Sequence, residues 1–545
     1  MSLSYLLFAG KYSAMTSYFS NAFLYFFLPL SIVCYCLIPQ KGKKYFLLAA
    51  SLIFFWLVSG ELIVYLLLSI FSVHYFGLWL DRIRQRRDEA VKAAADREER
   101  KSVKKSFQKK SRLVLGFAVC LHLGVLLVLK YSPFFISNVN SLLSLFGSSA
   151  GLVVPSFLMP VGISFFTLQA VSYLVDVYRG TISADGNIFR LALFMSFFPQ
   201  IVEGPICRYG QTAEKLWNVE KIKYENFVLG LERIMYGYMK KLVVADRLNP
   251  MIKEVFDNYQ SYNGAVIALA AVFYTVQLYM DFSGTMDAVV GVAQIFGVEM
   301  PENFRRPFFS KTISEFWQRW HITLGTFFKD YIFYPVTMSK PMKTLTTSAR
   351  KKLGNHFGPL LAGAVALLCV WLSNGLWHGA AWSYVFFGMY HFALILLGDI
   401  VSPAVKFLNE KLHLSPEKLP YRIFQIIRTS VLVVIGELFF RANGLKAGLA
   451  MFKKIVTEMH FTPLSDELLS SLGIDLKDLS IVLFTVLVVF VVSVLREKEV
   501  PVARRVFEQN IVVRRIILYS LIMFIVIFGA YGPGYVPVDP IYANF

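Results

Sequence analysis

Paired cysteines are missing from this chain. Its five cysteines, Cys34, Cys36, Cys120, Cys207 and Cys369, fall mostly in apolar runs and never form a CxxC pair. No zinc or disulfide framework follows from such spacing, and they read as small buried hydrophobes. A metal-ligand spacing, a P-loop and a GxSxG elbow are equally absent, so metal, ATP and serine acyl-enzyme chemistry have no motif to rest on. Charge is sparse too, at 17% of residues against 56% hydrophobic, which excludes a soluble domain. Strand-like alternation does not recur, which argues against an outer-membrane barrel. The N-terminus has neither the charged start nor the small-residue cleavage site of a secretory signal, so its first apolar run is expected to stay as a helix. No internal repeat is visible, which weighs against a transporter built from two related halves.

What is present is apolar length. The 545 residues include 50 Phe, and apolar stretches near spanning length recur along the chain. The expected fold is therefore all-α, a polytopic transmembrane helical bundle with re-entrant segments, in a cell membrane. The net charge of +19 is gathered in short segments between apolar runs. That is the pattern of cytoplasmic loops, with some contact to anionic lipid, and not of a nucleic-acid surface. Lys41–Lys44, residues 81–112, Arg179, 338–356, Lys406–Arg428 and Arg496–Arg515 are expected on the cytoplasmic side. Residues 442–478 and the C-terminal tail are expected outside.

Taken in order, 22–38 is a first span and 45–80 a helical hairpin folded at Ser59–Gly60. Residues 81–112 read as a solvated cytoplasmic helix, followed by spans at 113–129 and about 152–178. FPQIVEGPICRYG (198–210) holds two prolines, two glycines, Glu203 and Arg208. Irregular backbone of this kind survives at membrane depth only inside protein or facing water, so a re-entrant or interfacial segment is expected. Residues 226–245 resume helix. Residues 264–297 read as two helices broken around LYMDFSGTMDAVVG, where Asp281, Ser283 and Asp287 suit an interhelical network or, less simply, a substrate contact. A short segment at 326–336 ends at Pro335, and 338–356 reads as a basic loop. Spans at 357–373, 376–397, 423–441, 479–495 and 516–531 follow, with a break at Asn374–Gly375. Three regions result: N-terminal helices with their basic segment to 150, a core over 151–445, and C-terminal helices with a tail over 446–545.

The chemistry concentrates in 312–382. His321 follows Trp320 and His378 follows Trp377, with Trp371, Trp382 and Asn374 near the second. An ionisable side chain at membrane depth is costly and marks a functional site by default. A histidine, with its unperturbed pKa of about 6.5, can move protons near neutral pH. Packing between helices is the bland reading of both. Trp317, His321 and Leu324 would share one face if 313–324 were a single helix, with Glu315 and Arg319 paired along it.

SFFTLQAVSYLVDVYRG (164–180), FFPQIVEGPICRY (197–209), LYMDFSGTMDAVVG (278–291), ENFRRPFFSKTISEFWQRWHITLGTFFKDYIFYP (302–335), WLSNGLWHGAAW (371–382) and FFRAN (439–443) together resemble the membrane-bound O-acyltransferases. The bacterial alginate O-acetyltransferase group and the related teichoic acid D-alanyl transferase are the nearest in pattern. The resemblance implies transfer of an acyl group, acetyl first among candidates, from an intracellular thioester towards an extracytoplasmic polymer. The donor would be an acyl-CoA or an acyl-carrier-protein thioester, with no bound cofactor. The acceptor would be a polysaccharide or cell-wall polymer, reached through a secreted or membrane-anchored acyltransferase partner. His378 would be the catalytic base and His321 a supporting second histidine. Asn374, Trp377 and Trp382 would shape an oxyanion site, and Arg208, Asp281, Ser283 and Trp317 would contact substrate. Arg208, Lys340 or Arg350 could meet donor phosphate. The tail ends Tyr542-Ala543-Asn544-Phe545, similar to a terminal aromatic motif of these acylation systems, so Tyr542 would be an acyl relay; Asp539 stands where that motif usually has phenylalanine. A transporter or flippase lined by the same polar groups is the competing class.

Overall fold

The computed structural model describes residues 17–147, 151–460, 463, 465–531, 535 and 538. Among these it is helical, with a single isolated bridge between Phe304 and Trp320 as its only β pairing. Among the described residues, eight helical segments are long and apolar enough to cross a membrane. The chain forms two compact units whose segments interleave. One runs to Ile234 and adds Val289–Pro301 and Tyr542–Phe545; the other comprises Met235–Ala288 and Glu302–Ile541.

The first unit opens with α1 (Leu28–Leu37), α2 (Lys43–Ser59), α3 (Ile63–Ala93), α4 (Arg97–Leu126) and α5 (Ser132–Leu145). The hairpin between α2 and α3 folds at Ser59–Gly60 as expected. The polar stretch 81–112 is not one helix, because α3 and α4 each extend through part of it. Asp96 caps α4 by accepting from Glu99 N–H at 2.7 Å, and the Glu99 carboxylate accepts from Ala95 N–H at 2.8 Å. This reciprocal cap starts a new helix where charge alone suggested continuity. α6 (Ile163–Arg179) begins later than the expected 152, because Gly162 lies at φ 75° with the Ile201 carbonyl 2.0 Å from where its Cβ would stand. Only glycine permits that approach. Then come α7 (Ile188–Ser196) and α8 (Tyr209–Trp217). Between them 197–207 is non-helical and buried throughout, satisfying the condition for irregular backbone in an apolar setting.

Helix α9 (Tyr224–Tyr238) leads through a π-helical turn, Met239–Ala245, into α10 (Asp246–Asp257). α11 (Gly264–Ile295) is one unbroken helix of 32 residues, against the expected break. Its polar residues are met from the π turn. Lys241 pairs with Asp281 at 2.6 Å and Asp246 at 2.7 Å, while Lys240 reaches Asp287 at 2.5 Å and Ser283 at 2.9 Å. Charge inside an apolar run need not break a helix when a neighbour supplies the opposite charge.

The second unit continues with α12 (Ile313–Arg319), α13 (Ile322–Phe328), α14 (Tyr334–Thr337), α15 (Lys340–His378), α16 (Trp382–Lys411) and α17 (Leu419–Arg441). The basic stretch 338–356 is thus not a loop but the first part of α15, bent where Gly354 takes φ 78°. The expected break at Asn374–Gly375 falls instead at 379–381, after His378. α18 (Leu445–Thr457), α19 (Asp466–Ser471), α20 (Leu476–Glu497), α21 (Val502–Phe507) and α22 (Ile511–Phe528) complete the described helices. The tail beyond α22 is tied to the π turn: Ala530 N–H donates to Leu242 C=O at 2.8 Å, and Lys241 Nζ to Val538 C=O at 3.1 Å.

Candidate active site

Helices α12 and α13 are short because the chain breaks between them. Thr312 caps α12 by accepting from Glu315 N–H, and Glu315 accepts from Lys311 N–H in return. Arg319 pairs with Glu315 at 2.8 Å, the expected i,i+4 contact, and with Glu497 at 3.1 Å. After Arg319 the helix stops. His321 stands at φ 45°, ψ 51°, in the left-handed region that non-glycine residues seldom occupy. The expected single face carrying Trp317, His321 and Leu324 therefore does not exist. An extended segment holds the break open: Arg305 N–H donates to Arg319 C=O at 2.9 Å and Ile322 N–H to Asn303 C=O at 3.0 Å. The Asn303 carboxamide oxygen accepts from both Thr323 N–H, at 3.0 Å, and the Thr323 hydroxyl, at 2.6 Å. Left-handed backbone persists only where its surroundings over-determine it, and such strain clusters at functional sites.

Against this break lies the end of α15. A cavity of about 320 Å³ is lined by Trp317, Trp320, His321, Leu324 and Phe328 on one side and by Leu367, Trp371, Asn374 and His378 on the other. Both histidines are 3% exposed, so each reaches the cavity from within the core. Gly325, Thr326 and Lys329 are exposed lining residues and mark its rim. The tertiary fold thus brings His321, His378, Asn374 and Trp317 into one apolar chamber. Asn374 sits one helical turn before His378. Its buried Oδ1 has no hydrogen-bond partner among the described residues. Burial pushes the His321 imidazole down to a pKa of about 3, so it is neutral throughout the physiological range.

Other expected residues lie elsewhere. Trp377 is buried with its ring against both imidazoles, 5.6 Å from His321 and 5.0 Å from His378, but does not line the cavity. Trp382 opens α16 and is 56% exposed. Asp281 and Ser283 are buried in the lysine network and are not among the lining residues. Arg208 belongs to the first unit, at the start of α8. Tyr542 lies outside the described residues. Two residues went unnoticed in the sequence. Asn303 sits in a loop, and nothing local announces its role. His391 is fully buried on α16, and the rule that singles out His378, an ionisable group in an apolar run, applies to it equally.

A sequence description of the membrane-bound O-acyltransferase family matches residues 181–349. The "Probable alginate O-acetylase AlgI" of Azotobacter vinelandii is 30% identical over 434 residues, covering 79% of this chain and 76% of that protein. The peptidoglycan O-acetyltransferase of Helicobacter pylori is 29% identical over 80% of this chain and 78% of its own length. The teichoic acid D-alanyltransferase of Bacillus subtilis is 29% identical, over 43% of this chain and 58% of its own. Together with the all-helical membrane fold, these likenesses establish that the chain belongs to the membrane-bound O-acyltransferase family and is a multi-pass membrane acyltransferase.

Proposed function

We propose that this enzyme moves an acyl group, acetyl in the first instance, from a cytoplasmic thioester to a hydroxyl of an extracytoplasmic polysaccharide or cell-wall polymer, working in the bacterial cytoplasmic membrane. The meeting of His321, His378 and Asn374 in one apolar cavity is the observation that carries it. The names of the relatives, which cite alginate, peptidoglycan and teichoic acid, support the polymer class.

A hydroxyl becomes a competent nucleophile when a positioned base takes its proton as it attacks. His378 is that base. The hydroxyl oxygen bonds to the thioester carbonyl carbon, and the carbonyl electron pair moves onto oxygen. The Asn374 carboxamide N–H donates to this oxyanion, in an apolar setting where each hydrogen bond counts for more. Collapse breaks the C–S bond, and the departing thiolate takes the proton back from the His378 imidazolium. His321, neutral and held in strained backbone, orients the reactants. Lys329 at the rim, with Lys340 and Arg350 as further candidates, meets the phosphate that acyl-CoA and carrier-protein phosphopantetheine both carry. In this reading the attacking hydroxyl is the Tyr542 phenol, and a secreted or membrane-anchored acyltransferase partner then transfers the acyl group from the resulting phenyl ester to a polymer hydroxyl, releasing the phenol.

Purified protein given labelled acetyl-CoA and an acceptor should form an alkali-labile ester. His378→Ala should lose that activity by roughly 10²–10⁴-fold, the usual contribution of a general base, while still folding and inserting. Near-normal ester formation in a well-folded His378→Ala protein rejects the assignment. Label that crosses a proteoliposome membrane without entering any covalent product supports the transporter class instead.

A further inference from the structure

Five histidines are buried. Two belong to the first unit, where His122 bonds to Ser69 and Ser72. Two line the cavity. The fifth, His391, lies in the second unit without touching the cavity, yet it touches two of the cavity's walls. The α15–α16 hairpin turns at 379–381, which sets Trp371 and His391 at similar depth on adjacent antiparallel helices. Their rings stack at 5.4 Å with an interplanar angle of 27°. Trp317, arriving from α12, meets both edge-on, at 4.9 Å from each. Its indole Nε1–H donates to His391 Nδ1 at 3.2 Å.

We propose that His391 is a positioning residue for acyl transfer, fixing through this hydrogen bond the one orientation of Trp317 that keeps the cavity wall apolar beside His321 and His378. The indole N–H can only donate. His391 Nδ1 must therefore accept, and the neutral ring carries its proton on Nε2. The Nε2 edge faces α17 at Gly436, where a Cβ would stand only 2.7 Å from Nε2. That glycine lets the imidazole lie against the α17 backbone, and Phe387 packs on it at 4.7 Å. The ring is fully buried. An indole is asymmetric, and rotation about its side-chain bonds would carry the N–H away from His391. With the N–H committed to His391, Trp317 presents carbon to the cavity. Released, the N–H becomes a donor that can compete for the thioester carbonyl or hold a water beside it. The predicted defect is thus misplaced donor and thioester hydrolysed in place of transferred, which lowers kcat more than it raises KM.

This inference rests on the acyl-transfer reading, and the test separates the two. Asn offers an acceptor near the position of Nδ1, whereas Leu and Gln do not. His391→Leu should lower kcat for acyl transfer by about five- to tenfold, the size of one neutral hydrogen bond, with a larger share of donor hydrolysed. His391→Asn should recover at least half of the loss. On a Trp317→Phe background, which has no indole N–H, His391→Leu should change kcat by less than about twofold. Should His391→Leu fail to accumulate, His391→Gln takes its place in the same cycle. Independent losses that multiply in the double variant, or an Asn variant no better than Leu, overturn the proposal. The ultraviolet resonance Raman difference between the wild type and Trp317→Phe reports the hydrogen-bonding state of this indole without catalysis. If that signal shifts in His391→Leu while the wild type makes no ester, the positioning holds and the acyl-transfer reading is what fails. An unshifted signal overturns the positioning whatever the activity.

Discussion

His321 and His378 share a chamber but differ in how the backbone presents them. His378 closes a long helix, whereas His321 stands in a left-handed break. A catalytic base must exchange a proton during turnover, and a group whose pKa burial has lowered to about 3 is poorly suited to hold one. That is the ground for proposing that His321 orients the reactants. His321→Gln should raise the donor KM or lower kcat by roughly tenfold at most, and between pH 5 and 8 it should leave the shape of the pH–rate profile unchanged. The sign follows from the lowered pKa: above about 3 the folded enzyme already carries neutral His321, so no titration of it falls in that window. A collapse in kcat, or a displaced acid limb, would give His321 a direct part in proton transfer.

At the level of elements, two devices shape the second unit. The first is the buried ion network that lets α11 run unbroken. Lys241 and Asp281 are almost wholly buried, their side chains 1% and 2% exposed. Removing one partner of such a pair leaves the other charge in the core, so Asp281→Asn should cost about 3 kcal/mol of stability by thermal or denaturant unfolding in detergent. A change below about 1 kcal/mol would mean that Asp246 alone satisfies Lys241. The second device is the clamp of 303–305 on the 319–323 break. Asn303→Ala removes the acceptor for two Thr323 donors and should cost about 1–3 kcal/mol. Since the clamp holds His321 in its strained conformation, activity should fall at temperatures where the protein remains folded. Loss of stability with full activity would make Asn303 a structural residue only.

Across the whole molecule, the proposed route leads the acyl group from the cavity to the C-terminal tail. Arg247, Lys241 and the Leu242 carbonyl hold the described part of the tail, through Phe528 C=O, Val538 C=O and Ala530 N–H. Val538 is four positions before Tyr542, so the proposed relay begins from an anchored strap. Tyr542→Phe keeps the ring and removes the nucleophile. It should abolish polymer acylation while leaving donor binding intact, and mass spectrometry of the wild type should find an acyl adduct on Tyr542. Undiminished polymer acylation in Tyr542→Phe eliminates the relay.

Membrane residence and helical class were legible in the residues themselves, because burying an unpaired peptide group in lipid is so costly that long apolar runs have one regular solution. His321 and His378 stood out for a related reason, since ionisable groups rarely enter such runs without a role, and the fold brings both to one cavity. Local signals also placed the fold at Ser59–Gly60 and the Glu315–Arg319 pair. What depended on partners was not legible. The polar residues of α11 suggested a break because Lys240 and Lys241, their counter-charges, come from a different helix. The real break at 320–321 was hidden because it is imposed by Asn303–Arg305 and not by a proline or glycine at the break itself. The basic 338–356 stretch looked like a loop because charge reports contact with water and says little about backbone conformation. His391 was invisible as a partner of Trp317 because only the hairpin of α15 and α16 makes them neighbours. Sequence determined which groups had to be buried; the tertiary structure decided which buried groups meet, because hydrogen bonds and ion pairs act over a few ångströms of space, whatever the distance along the chain.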